Sequence, residues 1–241
     1  MLRRPYDIFV LVALLLSGCA TERKVLRAGV ELTPELLKRG GLAVVGVTMV
    51  DEVEQIRPPL VAEFEHALER GRPDLVVVSA GGVRDRLGLA AYRRILSAYQ
   101  RTGSLLRADG AELDSVLEGT ARFAVLARVE KDVLHTRMQG RVNLSNRTGS
   151  YGEVGVAVTT RHAKVRITMY DLSTRREVLA VVYTSSSENA PPDSVWRLPR
   201  RPVVPEPESA PNPRFAPPTE TPGLAETLIE GFATFVEELP R

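Results

Sequence analysis

Leu42-Ala43-Val44-Val45-Gly46-Val47 follows the pair Gly40-Gly41 and is apolar at every position except its glycine. A strand with one face in water alternates polar and apolar residues, whereas a short unbroken apolar run marks a strand covered on both faces. The fold class expected from this run is α/β (α+β), with helices packed on a mixed sheet. Downstream, Pro58-Pro59 opens a helix whose Leu60, Val61, Phe64, Ala67 and Leu68 share one stripe, closed by Gly71. Leu75-Val76-Val77-Val78 reads as the next strand and leads through Gly81-Gly82 into a helix over 84–101, with Leu89, Tyr92, Ile95, Leu96 and Tyr99 at helical spacing. A shorter helix over 109–118 places Leu113, Val116 and Leu117 inward.

After Gly119 the pattern changes to strands: Phe123 to Val129, then about 154–171, then Val178 to Tyr183. In the middle one, Val154, Val156 and Val158 hold even positions while Ala163, Val165, Ile167 and Met169 hold odd ones. Because side chains alternate strictly, this predicts a bulge or break near Thr159 to His162. Asp171-Leu172-Ser173-Thr174-Arg175 reads as a hairpin turn into the last strand, which gives the sheet a C-terminal antiparallel meander. Val44, Val45, Val76, Val77, Val125, Ile167, Met169 and Val181 are expected in its core. The α/β domain would run over 40–188. Residues 189–222 hold 11 prolines in 34 positions and form a semi-rigid linker reaching roughly 100 Å at about 3.1 Å per residue. Its Trp196 is either a docking anchor or a patch that folds back on the domain. In the last segment, 223–241, Leu224, Leu228, Ile229, Phe232, Phe235, Val236 and Leu239 form one apolar stripe, expected to pack on the same domain.

Upstream of the founding strand, residues 20–40 are polar, with a helical start at Thr33-Pro34, and read as a tether. At the amino end Arg3 and Arg4 precede an apolar run of nine residues, Ile8 to Leu16, too short for the roughly 20 that span a bilayer. This is the pattern of a signal peptide over 1–18. Leu16-Ser17-Gly18-Cys19, which contains the only cysteine, resembles the bacterial lipobox. That resemblance implies cleavage before Cys19, diacylation of its sulfur and a lipidated tether over 19–39. Each buried CH₂ contributes about 0.8 kcal/mol, and two or three chains anchor stably. Ala20 rather than Asp follows the cysteine, which by the same resemblance implies an outer-membrane anchor on the periplasmic face.

A formal net charge of +2 gives no basic surplus of the kind nucleic acid requires. With Cys19 acylated, no thiol remains for a disulfide or a thiolate metal site. The three histidines, His66, His135 and His162, lie far apart in sequence, and no phosphate loop, His-Glu-x-x-His or Gly-x-Ser-x-Gly is present. No metal, cofactor or catalytic residue is therefore expected. Ser79-Ala80-Gly81-Gly82 at a strand end reads as a strand-to-helix turn; a lipid-anchored hydrolase would require it to meet a histidine and a carboxylate in a pocket. One charge feature stands out. Arg137, Arg141, Arg147, Arg161, Lys164 and Arg166 face only Glu153 in their segment, making it either a solvated hairpin or a surface for an anionic lipid or envelope polymer.

Ala121-Arg122-Phe123-Ala124-Val125-Leu126-Ala127-Arg128-Val129 and Lys164-Val165-Arg166-Ile167-Thr168-Met169-Tyr170-Asp171, with the Thr174 to Glu177 turn, follow a glycine-led strand and helices in this order. The pattern resembles a group of envelope lipoproteins: the activator of penicillin-binding proteins, the curli-secretion lipoprotein and the N-terminal domain of the Tol-system periplasmic protein. The resemblance covers about 40–187 and the final helix, and implies a non-catalytic adaptor or assembly factor with an envelope protein partner. The Pro-rich insertion departs from it. A curli-type channel subunit is the alternative, but its membrane-spanning segments alternate over about 9–11 residues, which Asn143 to Gly149 does not.

Overall fold

The computed structural model describes residues 22–28, 32–50, 58–145, 151–189 and 221–241. Six strands form one mixed sheet: β1 (Glu22–Ala28), β2 (Leu42–Met49), β3 (Val77–Val78), β4 (Phe123–Ser145), β5 (Tyr151–Asp171) and β6 (Arg176–Asn189), in the order β1-β6-β5-β4-β2-β3. β2 runs parallel to β3 and β4, while β4, β5, β6 and β1 pair antiparallel. The described helices are α1 (Pro34–Gly40), α2 (Pro58–Gly71), α3 (Ala80–Leu87), α4 (Leu89–Thr102), α5 (Arg107–Leu117) and α6 (Leu224–Glu238). This is the mixed α/β sheet with a C-terminal meander and final packing helix that the apolar run and the strand patterns predict.

Every residue of β2 is buried, because helices cover both of its faces. On one face Leu42, Val44, Phe123, Val125, Ile167, Met169 and Val181 meet Phe64 and Leu68 of α2 and Phe232, Phe235 and Val236 of α6. On the other, Ala43, Val45, Ala124, Leu126 and Tyr170 meet Tyr92, Ile95 and Tyr99 of α4 and Leu113 and Leu117 of α5. The rings of Phe64 and Phe232 lie 4.8 Å apart, within the range of favourable aromatic pairs. α6 is also tied at its end, where Arg72, 2% exposed, pairs with Asp74 and donates from Nη1 to the Leu239 carbonyl at 3.2 Å.

Five expectations are corrected. Residues 22–28, read as part of the tether, pair with β6 as an edge strand. The strand expected over 75–78 shrinks to two residues; Val76 accepts a hydrogen bond from Leu42 N through its carbonyl, but its side chain is 62% exposed because an edge has one neighbour. The helix expected over 84–101 breaks at Gly88, whose φ of +78° a continuing helix excludes, and Leu89 just beyond faces solvent. No bulge falls at Thr159 to His162: β5 pairs continuously there with both neighbours, and the register shifts lie in the partners, at Glu130 and Gly140 in β4 and Val178 in β6. Val158 is buried on the face opposite Ala163, so the change of phase needs no break in β5. Finally, the strand expected over Phe123 to Val129 runs on to Ser145 and pairs with β5 in a long hairpin, with strands of 23 and 21 residues.

Candidate functional site

The long hairpin outruns the rest of the sheet. β2 ends opposite Val129 and β6 ends opposite Thr159, yet β4 and β5 stay paired to Ser145 and Tyr151. From Val129 to Ser145 is 16 residues, about 50 Å at ~3.3 Å each. Among the described residues, β4 has no partner on its outer edge past Val129. Unpaired strand edges present free N–H and C=O groups to any incoming strand.

Register assigns the faces at the root of this ribbon. Asp132, Leu134, Thr136, Thr159 and Arg161 share the face that α6 approaches. There Arg161 grips Asp132 through two bonds of 2.7 and 2.6 Å and donates to the Pro222 carbonyl at 2.8 Å, and the Thr227 hydroxyl meets that of Ser187. The opposite face carries Lys131, Val133, His135, Arg137, Val158, Thr160, His162 and Lys164, joined by Ser186 and Glu188 of β6. Arg137 and the Thr160 hydroxyl both donate to Glu188, at 3.0 and 3.2 Å. The rings of His135 and His162 lie 5.4 Å apart, edge to face.

This geometry changes the reading of the basic segment. Arg137 pairs with Glu188, Arg161 with Asp132, Lys164 with Glu130 and Arg166 with Glu177. Those acids lie outside the Arg137 to Arg166 stretch, so counting charge along one segment overstates the surplus on the surface. Arg141 lies on β4 opposite Gly155, but its side chain is outside the described residues, as are Arg147, Cys19 and Trp196.

Elsewhere, polar side chains serve the fold. Ser79 caps α3 by accepting from Gly82 N at 3.1 Å, and Glu65 accepts from Ala80 N at 2.6 Å, so the strand-to-helix turn is a cap. Burial pushes the Tyr92 and Tyr170 phenols up to about 12; Tyr92 donates to the Val45 carbonyl, and Tyr170 accepts from Leu105 N. Burial also raises the Asp109 carboxyl, whose Oδ2 has no partner although Arg94 stands 3.6 Å from Oδ1. Among the described residues no three His, Cys, Asp or Glu side chains gather as a metal site, and no helix is long and apolar enough to cross a membrane.

No family model and no curated protein matches the chain. Solved structures overlap it weakly, among them the following two. The PelC dodecamer from Paraburkholderia phytofirmans is 12% identical over 93% of this chain and 99% of that one, with a TM-score of 0.37. Lipoprotein GNA1162 from Neisseria meningitidis is 16% identical over 63% of this chain and 83% of that one, with a TM-score of 0.32. Overlaps this low do not establish a shared fold.

Sequence reasoning missed two arrangements. One is the His135–His162 pair, 27 positions apart along the chain. The other is Arg128 directly opposite Arg166, each with a buried Nε that lacks a partner among the described residues. Both depend on the register between β4 and β5, which two bulges shift.

Proposed function

We propose that this chain is a lipid-anchored, periplasm-facing adaptor or assembly factor of the bacterial envelope, without catalysis, that engages a protein partner through the β4–β5 ribbon. The ribbon carries this reading: a two-stranded ribbon is marginal on its own in water, and this one extends past both helical layers with an outer edge that no described strand pairs. Such a segment gains its stability from what it binds. The lipobox pattern at Leu16 to Cys19 supports the anchor and the outer membrane. The curli-type channel reading has less support, since each face of the ribbon root mixes charge with apolar residues, Asp132 beside Leu134 on one and Lys131 beside Val133 on the other. The hydrolase reading has less again, because the Ser79 hydroxyl is committed to Gly82 N.

The test is to replace residues 138–157 by a two-residue turn and crosslink the anchored protein in cells. The shortened chain should keep its melting temperature and lose the crosslinked partners of the parent. Retention of the same partners would sink the proposal.

A further inference from the structure

The chain has three histidines, and two of them meet. His135 stands opposite Thr160, and His162 opposite Val133, so the two are diagonal neighbours on one face of β4 and β5. Both are exposed, and their ring centres are 5.4 Å apart at an interplanar angle of 65°. A bound transition metal sits about 2.0–2.1 Å from an imidazole nitrogen, hence roughly 3.2 Å from the ring centre, and two such rings at a tetrahedral angle have centres about 5 Å apart. The ring centres of the pair stand at about that separation. We infer that His135 and His162 form a two-ligand site for a divalent transition metal of the Zn²⁺ or Cu²⁺ class, open toward solvent.

The surroundings permit it. Imidazole suits zinc and copper, and the nearest cations on that face, Lys164 and Arg137, are paired with Glu130 and Glu188. Lys131 is left as an exposed positive charge on the same face, a modest opposing effect in water. The edge-to-face geometry requires a ring to turn before both nitrogens point at one ion, and exposed side chains turn in picoseconds to nanoseconds. Backbone hydrogen bonds between β4 and β5 hold the two side chains at this spacing, and a tetrahedral ion bound by two imidazoles has two coordination positions left for water or for a group on a partner.

The test uses the full chain with Cys19→Ser, in detergent and without a histidine tag, titrated with Zn²⁺ by calorimetry and with Cu²⁺ by electron paramagnetic resonance. Because the second imidazole acts as an intramolecular ligand, His135→Gln and His162→Gln should each weaken binding about tenfold or more. The double variant should bind more weakly than either single one but by less than the sum of the two single losses, while His66→Gln, distant in the fold, should bind as the parent does. The copper spectrum should show coupling to two nitrogens in the parent and one in each single variant. Melting curves of all variants should coincide in the absence of metal. Equal affinity in parent and both single variants, or losses that merely add in the double variant, would overturn the site.

Discussion

Asp171 shows how one buried carboxylate closes a hairpin. Its Oδ1 accepts from the Ser173 amide and hydroxyl at 3.0 and 2.7 Å, holding the turn in which Arg175 takes φ +54°, while Arg122, the residue before β4, clamps both oxygens. Burial alone would raise this carboxyl, but the hydrogen bonds from Arg122 and Ser173 outweigh it and hold the group below the ordinary range. A carboxyl lowered on folding contributes stability that is complete above its unfolded value, about 3.9, and is lost as pH falls toward the folded one. Asp171→Asn should therefore cost about 2 kcal/mol at pH 7, less than a fully buried pair because Arg122 is partly exposed. The gap between the denaturation curves of parent and variant should begin to close only below about pH 4. This residue was legible in the sequence, since Asp-Leu-Ser-Thr-Arg is turn chemistry in its own right. The histidine pair was not. Counted back from the hairpin tip, where Ser145 faces Tyr151, an unbroken ladder would set His135 opposite Arg161 and put His162 on the other face; the bulge at Gly140 moves it to the same side.

Elements were legible where their own residues carry the pattern, and illegible where a neighbour decides. The run Leu42 to Val47 and the stripes of α2 and α6 each declare their burial in composition, and the structure buries most of them, with Ile229 of the α6 stripe turned out at 40% exposure. β1 is half charged, Glu-Arg-Lys-Val-Leu-Arg-Ala, and becomes a strand because β6 presents an edge to it. The break at Gly88 was hidden because helical spacing runs straight through it. α6 is the element whose burial is most directly testable. Phe232 lies against Phe64, and Gly71 of α2 leaves room for Val236, whose Cγ1 would stand 2.6 Å from an added Cβ. Phe232→Ala should cost about 3–5 kcal/mol and Gly71→Ala about 1–3, whereas Ile229→Ala, on the exposed side of the same helix, should stay within about 0.5. Equal losses at Phe232 and Ile229 in urea titrations would mean that the helix does not pack as described.

At the scale of the whole molecule, the edge strand constrains how an anchored chain would stand on a membrane. Glu22, the first residue of β1, is three positions from Cys19, and an extended chain covers at most about 3.6 Å per residue, so a lipidated Cys19 would hold Glu22 within about 11 Å of its anchor. Glu22 pairs with Thr184, toward the end of β6 where the ribbon departs, and away from the Asp171 to Arg176 turn. The ribbon end of the sheet would then lie nearer the bilayer than that turn. Ser186 and Thr174 mark the two ends, 12 positions apart and separated by about 34 Å of β6 between residues 176 and 186. With Cys19 blocked by acylation, a fluorophore on Ser186→Cys should be quenched by headgroup-borne quenchers in vesicles far more than one on Thr174→Cys. Cys19→Ala should abolish both the difference and palmitate incorporation. Inserting about 15 Gly/Ser residues after Ala20 should keep the lipid but reduce the difference, since a flexible linker of that length has a root-mean-square span of roughly 20 Å. Equal quenching at both ends of the lipidated parent would show that the short tether does not orient the sheet.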